Sequence, residues 1–189
     1  MESNRGVKVW DPVVRAFHWT LAAAFLTAYL SEGEPVWLHS RAGYVALAAV
    51  AVRLAWGFVG TRHARFAAFV TGPLEATRYL FDELRGRARR YLTHNPAGGL
   101  MVVALLAMIV GTAVTGMGLL AADEGLGPLA AWVPRSERME EAFEEVHEFF
   151  ANGTLLLVVL HVGGVVVSSL AHRENLVASM IHGRKRPAA

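Results

Sequence analysis

The chain has no cysteine among its 189 residues. That excludes disulfides, thiolate-bound iron–sulfur clusters and a covalently attached c-type haem, whose attachment needs a C-x-x-C-H pair. Charge is scarce as well: 18% of residues are Asp, Glu, Lys or Arg, and the formal net charge of +2 is too small to argue for a nucleic-acid partner. Internal repeats, low-complexity tracts and linkers are lacking, so the chain reads as one domain over residues 1–189.

What is abundant is apolar surface, with 54% of the residues hydrophobic. Four stretches, 13–30, 42–59, 97–122 and 149–171, are long enough to cross a bilayer as helices. Backbone polar groups in lipid must be satisfied internally, and the alternating pattern of a membrane barrel is absent, which predicts an all-α membrane protein, a four-helix bundle. Four spans return both chain ends to one side. The N-terminal arm with the start of the first span, the connection from Thr61 to Pro96 and the C-terminal tail hold fourteen Lys and Arg residues. The other two connections hold only Arg41, Arg135 and Arg138, against ten acidic residues between Glu32 and Glu148. The positive-inside rule therefore puts both termini of this multi-pass chain in the cytoplasm. Arg5, Lys8 and Arg15 give the first span the look of a secretory signal, but His18 and Trp19 interrupt it and no small-x-small cleavage site follows, which predicts a mature helix. From 73 to 90, Leu74, Leu80, Phe81 and Leu84 fall near one stripe, either a short helix lying at the headgroups or a solvated loop. Met139 to Glu148 extends the fourth helix beyond the lipid, with Phe143, Val146 and Phe150 as its apolar edge.

Histidines carry the chemistry. His147 and His161 are fourteen residues apart, which puts both imidazoles near one helix face and about 21 Å apart along its axis. Lipid-facing imidazoles are costly, so both are expected to face the bundle interior. His18, about a turn and a half inside the first span, matches the depth of His161. His39, just before the second span, matches His147 near the outer face. Each pair supplies two imidazoles from facing helices, as bis-histidine haem ligation requires. A lone membrane histidine is more often a hydrogen-bonding residue, but four of them paired in depth favour haem. Zinc transport fits poorly, because zinc sites cluster three or four ligands around one ion.

Smaller features are read more plainly. Gly153, Thr154, Gly164 and Ser168 around His161 leave room for a flat ring, although by themselves they read as close helix packing. His63, His94, His172 and His182 lie at or beyond the cytoplasmic face as basic interfacial residues. His94-Asn95-Pro96 reads as a helix start, with Asn95 as N-cap. Arg53 is the one charged residue well inside a span, placed either to reach a haem propionate or to snorkel.

The chain resembles the bacterial di-haem cytochrome b561 family, which includes the cytochrome b subunits of nickel–iron hydrogenases. The resemblance runs through Val9-Trp10-Asp11-Pro12, Arg15, Phe17-His18-Trp19, His39 with Gly43, Arg53-Leu54-Ala55-Trp56-Gly57, His94-Asn95-Pro96 with Gly98, His147 and His161. It implies one cytochrome b561-type domain holding two haem b groups. One lies between His18 and His161 on the cytoplasmic side, the other between His39 and His147 on the periplasmic side. It also implies transmembrane electron transfer between a periplasmic cytochrome c or other redox subunit and the membrane quinone pool, with a homodimer compatible. Ala64-Arg65-Phe66 and the compact length look more like a stand-alone branch than a hydrogenase subunit. A self-sufficient superoxide:quinone oxidoreductase is the alternative.

Overall fold

A computed structural model of the chain describes residues 6–31 and 34–187. Arg5 and Glu32, used above in the charge argument, lie outside them. Helix α1 spans Pro12–Ser31, α2 Val36–Val59, α3 Pro73–Leu84, α4 Pro96–Asp123, α5 Glu137–Ala171 and α6 Leu176–His182. Two short strands, β1 (Val7–Lys8) and β2 (Arg184–Lys185), pair antiparallel, with Val7 opposite Lys185 and Lys8 opposite Arg184. Helices α1, α2, α4 and α5 are each long and apolar enough to cross a membrane.

Two helices begin earlier than their apolar stretches. Helix α2 starts at Val36 rather than Ala42, so His39 lies inside it and not before it. Helix α5 starts at Glu137, and the acidic segment is helical throughout, with Glu137 and Glu140 in the first turn, where the helix dipole favours negative charge. The segment 73–90 is helical only to Leu84, and Gly86 follows with φ 67°, a left-handed conformation that suits glycine.

The chain divides into two compact units, and each long helix contributes residues to both. The terminal unit comprises the chain up to Phe17, Arg53–Ala104 and the chain from Val158. The hairpin unit comprises His18–Val52 and Leu105–Leu157.

In the terminal unit, Val9, Trp10, Val14 and Ala64 form a buried apolar core, with Trp56 and Met180 packed on it. Asp11 organises the entry to α1. Its Oδ1 accepts from the Val14 backbone N–H at 2.9 Å, capping a helix whose first residue is Pro12. Its Oδ2 accepts from the Trp56 indole at 3.0 Å and the Thr61 hydroxyl at 2.6 Å. Burial alone would raise the Asp11 pKa, but the hydrogen bonds from Thr61, Trp56 and the Val14 and Val13 backbone outweigh it and hold the carboxyl below its ordinary value. The chain ends meet at Gly183, whose carbonyl accepts from the Val9 and Trp10 N–H groups at 2.9 and 3.1 Å. Gly183 has φ 80°, and a Cβ there would lie 2.6 Å from the Trp10 carbonyl oxygen, so two constraints call for glycine. Glu174 ties the tail to the α3–α4 connection by accepting from Arg90 at 2.7 and 3.3 Å and from the Arg186 N–H at 3.1 Å.

In the hairpin unit α4 and α5 pack antiparallel at close range. Phe143, His147 and Phe150 of α5 sit over Gly118, Gly116 and Gly111 of α4, and a Cβ at any of the three glycines would collide with the ring above it. Small residues at a membrane helix interface let backbones approach in this way. One turn on, Thr154 is buried and its hydroxyl lies 3.1 Å from that of Thr112.

Candidate functional site

His39 and His147 come together in the hairpin unit, with ring centroids 6.1 Å apart and planes at 71°. Each ring is held by its Nδ1. That of His39 donates to the Ala28 carbonyl at 3.0 Å, with the Ser31 hydroxyl at 3.3 Å. That of His147 donates to the Thr112 carbonyl at 3.0 Å, with the Thr115 hydroxyl at 3.3 Å. A carbonyl oxygen only accepts, so both Nδ1 atoms carry the proton and both Nε2 lone pairs remain for a metal. Such hydrogen bonds from the far nitrogen to backbone carbonyls are how metal-bound imidazoles are oriented.

The spacing fits one metal ion between the two rings. With imidazole–metal bonds of about 2 Å and roughly 1 Å from nitrogen to ring centre, the centroids of two opposed ligands lie about 6 Å apart, in agreement with the observed distance. Gly116 makes the arrangement reachable, because a Cβ there would lie 2.9 Å from His147 Cε1. None of these supports has a histidine-like signal in the sequence. Two are backbone carbonyls, and Gly116 is one of 18 glycines; its place one turn beyond Thr112 on an apolar helix is the only clue.

His18 and His161 fall in different units, His18 in the hairpin unit and His161 in the terminal unit. Both are half-buried, and His18 lies edge-on to Trp19 with ring centroids 5.1 Å apart. His161 and His147 belong to one uninterrupted helix, α5. Of the small residues around His161, Gly153 packs under Met108 and Thr154 bonds Thr112, which is close helix packing, while Gly164 has nothing within 4 Å of a Cβ position.

Arg53 is 3% exposed in the terminal unit. Its guanidinium lies 4.6 Å from the Phe66 ring centre and 5.8 Å from that of Phe69, and its Nη1 is buried without a hydrogen-bond partner. Gly57, one turn along α2, leaves the space that the Phe66 ring occupies. A buried guanidinium with an open donor suits a carboxylate. His94 stacks between Trp10 (4.9 Å) and Phe69 (4.5 Å), and Asn95 caps α4 by accepting from the Gly98 N–H at 2.7 Å.

The sequence matches a family model for prokaryotic cytochrome b561 from residue 9 to residue 183. Among curated proteins, the chain is similar to three named as probable Ni/Fe-hydrogenase B-type cytochrome subunits. That of Rhodobacter capsulatus is 26% identical, over 95% of this chain and 81% of its own length. That of Azotobacter vinelandii is 27% identical, over 97% and 90%. That of Rhizobium leguminosarum bv. viciae is 25% identical, over 96% and 90%. No solved structure matches at a significant level.

Proposed function

The chain belongs to the prokaryotic cytochrome b561 family, and from that premise we propose that it is a di-haem cytochrome carrying electrons across the bacterial inner membrane between a periplasmic redox partner and the quinone pool. The observation that carries this reading is the His39–His147 pair, with both Nδ1 atoms committed to carbonyls and the rings one metal apart. His39 and His147 hold the outer haem. His18 and His161 hold the inner one, an assignment supported by their matching depth and by the position of His161 on the helix that carries His147. Bound haem supplies reversible one-electron chemistry at its iron. The protein supplies the rest: Ala28 and Thr112 orient the outer ligands, and Arg53 offers its open donor to an inner propionate.

Cytoplasmic termini are favoured by the basic terminal segments and by the strand pairing of residues 7–8 with 184–185, which puts the two ends of the chain on one side. Helix α3 lies at that membrane surface as part of the same single domain: Leu74, Phe81 and Leu84 are exposed, and the Arg85 guanidinium lies 5.9 Å from the Phe81 ring centre. The names of the relatives favour a protein redox partner, such as a hydrogenase subunit, over the stand-alone branch that the compact length suggests. The acidic start of α5 offers that partner a docking face of opposite charge.

Purified protein separates the two readings. Reduction of the haems by a periplasmic-side protein donor, slowed at low salt by neutralising Glu140, Glu141, Glu144 and Glu145, supports the subunit. Quinone reduction by superoxide with no added protein supports the oxidoreductase instead.

A further inference from the structure

Beyond His161, at the end of α5, lies a group of half-buried polar side chains that ligation of haem does not use. Ser168 and His172 follow His161 by seven and eleven residues, and at about 100° per residue all three fall within roughly 20° of one line on the helix. The Ser168 hydroxyl donates to Glu83 Oε1 at 2.8 Å. The other carboxylate oxygen, Oε2, faces His172 Nε2 at 3.6 Å, and the two side chains are 7% and 18% exposed. Both atoms are buried without a hydrogen-bond partner, and 3.6 Å is too long for one. Glu174, two residues on, shows what a structural carboxylate looks like in this unit, with both oxygens bound by Arg90. Glu83 and His172 instead face each other, poised for a proton that would join them as an ion pair.

The surroundings leave the proton to this pair. From α3, Tyr79 stands beside Glu83; burial first, then the hydrogen bond and charge of Glu83, raise its hydroxyl pKa against the opposing effect of Asn95, so it stays protonated. From the segment before α4 comes Tyr91, 5.7 Å from Tyr79 between ring centres. From α5 comes the Ser168 hydroxyl. Arg90, next to Tyr91 in the chain, is engaged by Glu174 and by the Arg186 and Pro187 carbonyls. His172 directly follows the last residue of α5, where the helix dipole favours a cation.

We propose that Glu83 and His172 form a redox-linked proton site, which binds a proton from the cytoplasm more tightly while the haem held by His161 carries an added electron and less tightly once the electron leaves. The negative charge of the added electron favours the positive charge that a proton places on the imidazole, whose Nε2–H then pairs with Oε2. The eleven-residue separation is about 16 Å along the helix, and a unit charge at that distance in an effective dielectric of about 20 changes proton affinity about fivefold.

The proposal rests on His161 as a haem ligand, so the test measures both. Redox titrations of the purified holoprotein over a range of pH are run on wild type, E83Q, H172Q and H161Q, with haem counted in every sample. In wild type the potential of one haem falls as pH rises, and reduction draws protons from a weakly buffered solution. In H172Q, and in E83Q where it folds, that dependence and the proton uptake are lost while both haems and the potential of the other remain. Two haems with an unchanged pH dependence in H172Q overturn the proton site and leave the ligands standing. Two haems in H161Q overturn the ligand assignment and the proton site with it.

Discussion

Replacing Gly116 with alanine separates haem ligation from helix packing. A Cβ at this position would lie 2.9 Å from His147 Cε1 and 3.1 Å from Nδ1. Carbon atoms settle at about 3.5–4.0 Å, so the imidazole must retreat by roughly half an ångström to one ångström. The bond from Nδ1 to the Thr112 carbonyl, now 3.0 Å, then stretches to or past the limit of a hydrogen bond. Losing an outer support of this type costs about 10- to 100-fold in metal affinity, or about 1.4–2.7 kcal/mol. Helix propensity acts in the opposite direction, because alanine is better than glycine in a helix interior by about 0.8–1.0 kcal/mol. G116A is therefore expected to bind its outer haem 10- to 100-fold more weakly without a matching loss of helix content. The assay is haem titration into apoprotein with absorbance readout, alongside circular dichroism. G163A is the control, since Gly163 is an exposed residue of α5 sixteen positions from His147 and a Cβ there meets nothing within 4 Å. Wild-type haem affinity and an unchanged spectrum in G116A would refute the claim that the Thr112 carbonyl positions His147.

Two further expectations concern the terminal unit. Asp11 is held below its ordinary value, so its contribution to stability is complete above the unfolded pKa of about 3.9 and is lost as pH falls through the lower folded value. D11A should lose about 1–3 kcal/mol near neutral pH through the missing cap and unpaired donors. Thermal unfolding in detergent should also show less acid dependence below about pH 4 than in wild type; equal acid slopes would contradict the assignment. E174Q weakens the bonds to Arg90 and the Arg186 N–H, charge-assisted contacts worth about 1.5–3 kcal/mol together with their geometry. Limited proteolysis should then cut faster at Arg184 and Lys185 with haem content unchanged, and an unchanged cleavage rate would count against the clasp.

The legibility of the molecule follows the range of its interactions. Helix rise is a fixed quantity, so depth counting along four apolar runs is enough to put His39 beside His147. The same counting misses the start of α2, while the acidic extension of α5 is legible from Met139, two residues after its start at Glu137. Trp37, His39 and Arg41 dilute the apolar run before Ala42 while leaving helix geometry intact. Asp11-Pro12 signals a helix start, but its bonds to Trp56 and Thr61 cross 45 and 50 residues and leave no local pattern. Ala28 and Thr112 act through backbone carbonyls, which every residue has. Glu83 with Ser168 is hidden for a further reason: the two are 85 residues apart, Glu83 in a segment that reads as membrane-surface and Ser168 among the small residues of the fourth span.

Haem stoichiometry tests the central claim most directly. A reduced-minus-oxidised spectrum with protein quantified in the same sample should give two b-type haems per wild-type chain, and one in H39Q or H147Q, with the other haem's potential kept. One haem in the wild type, or two haems in both variants, would contradict the pairing of His39 with His147.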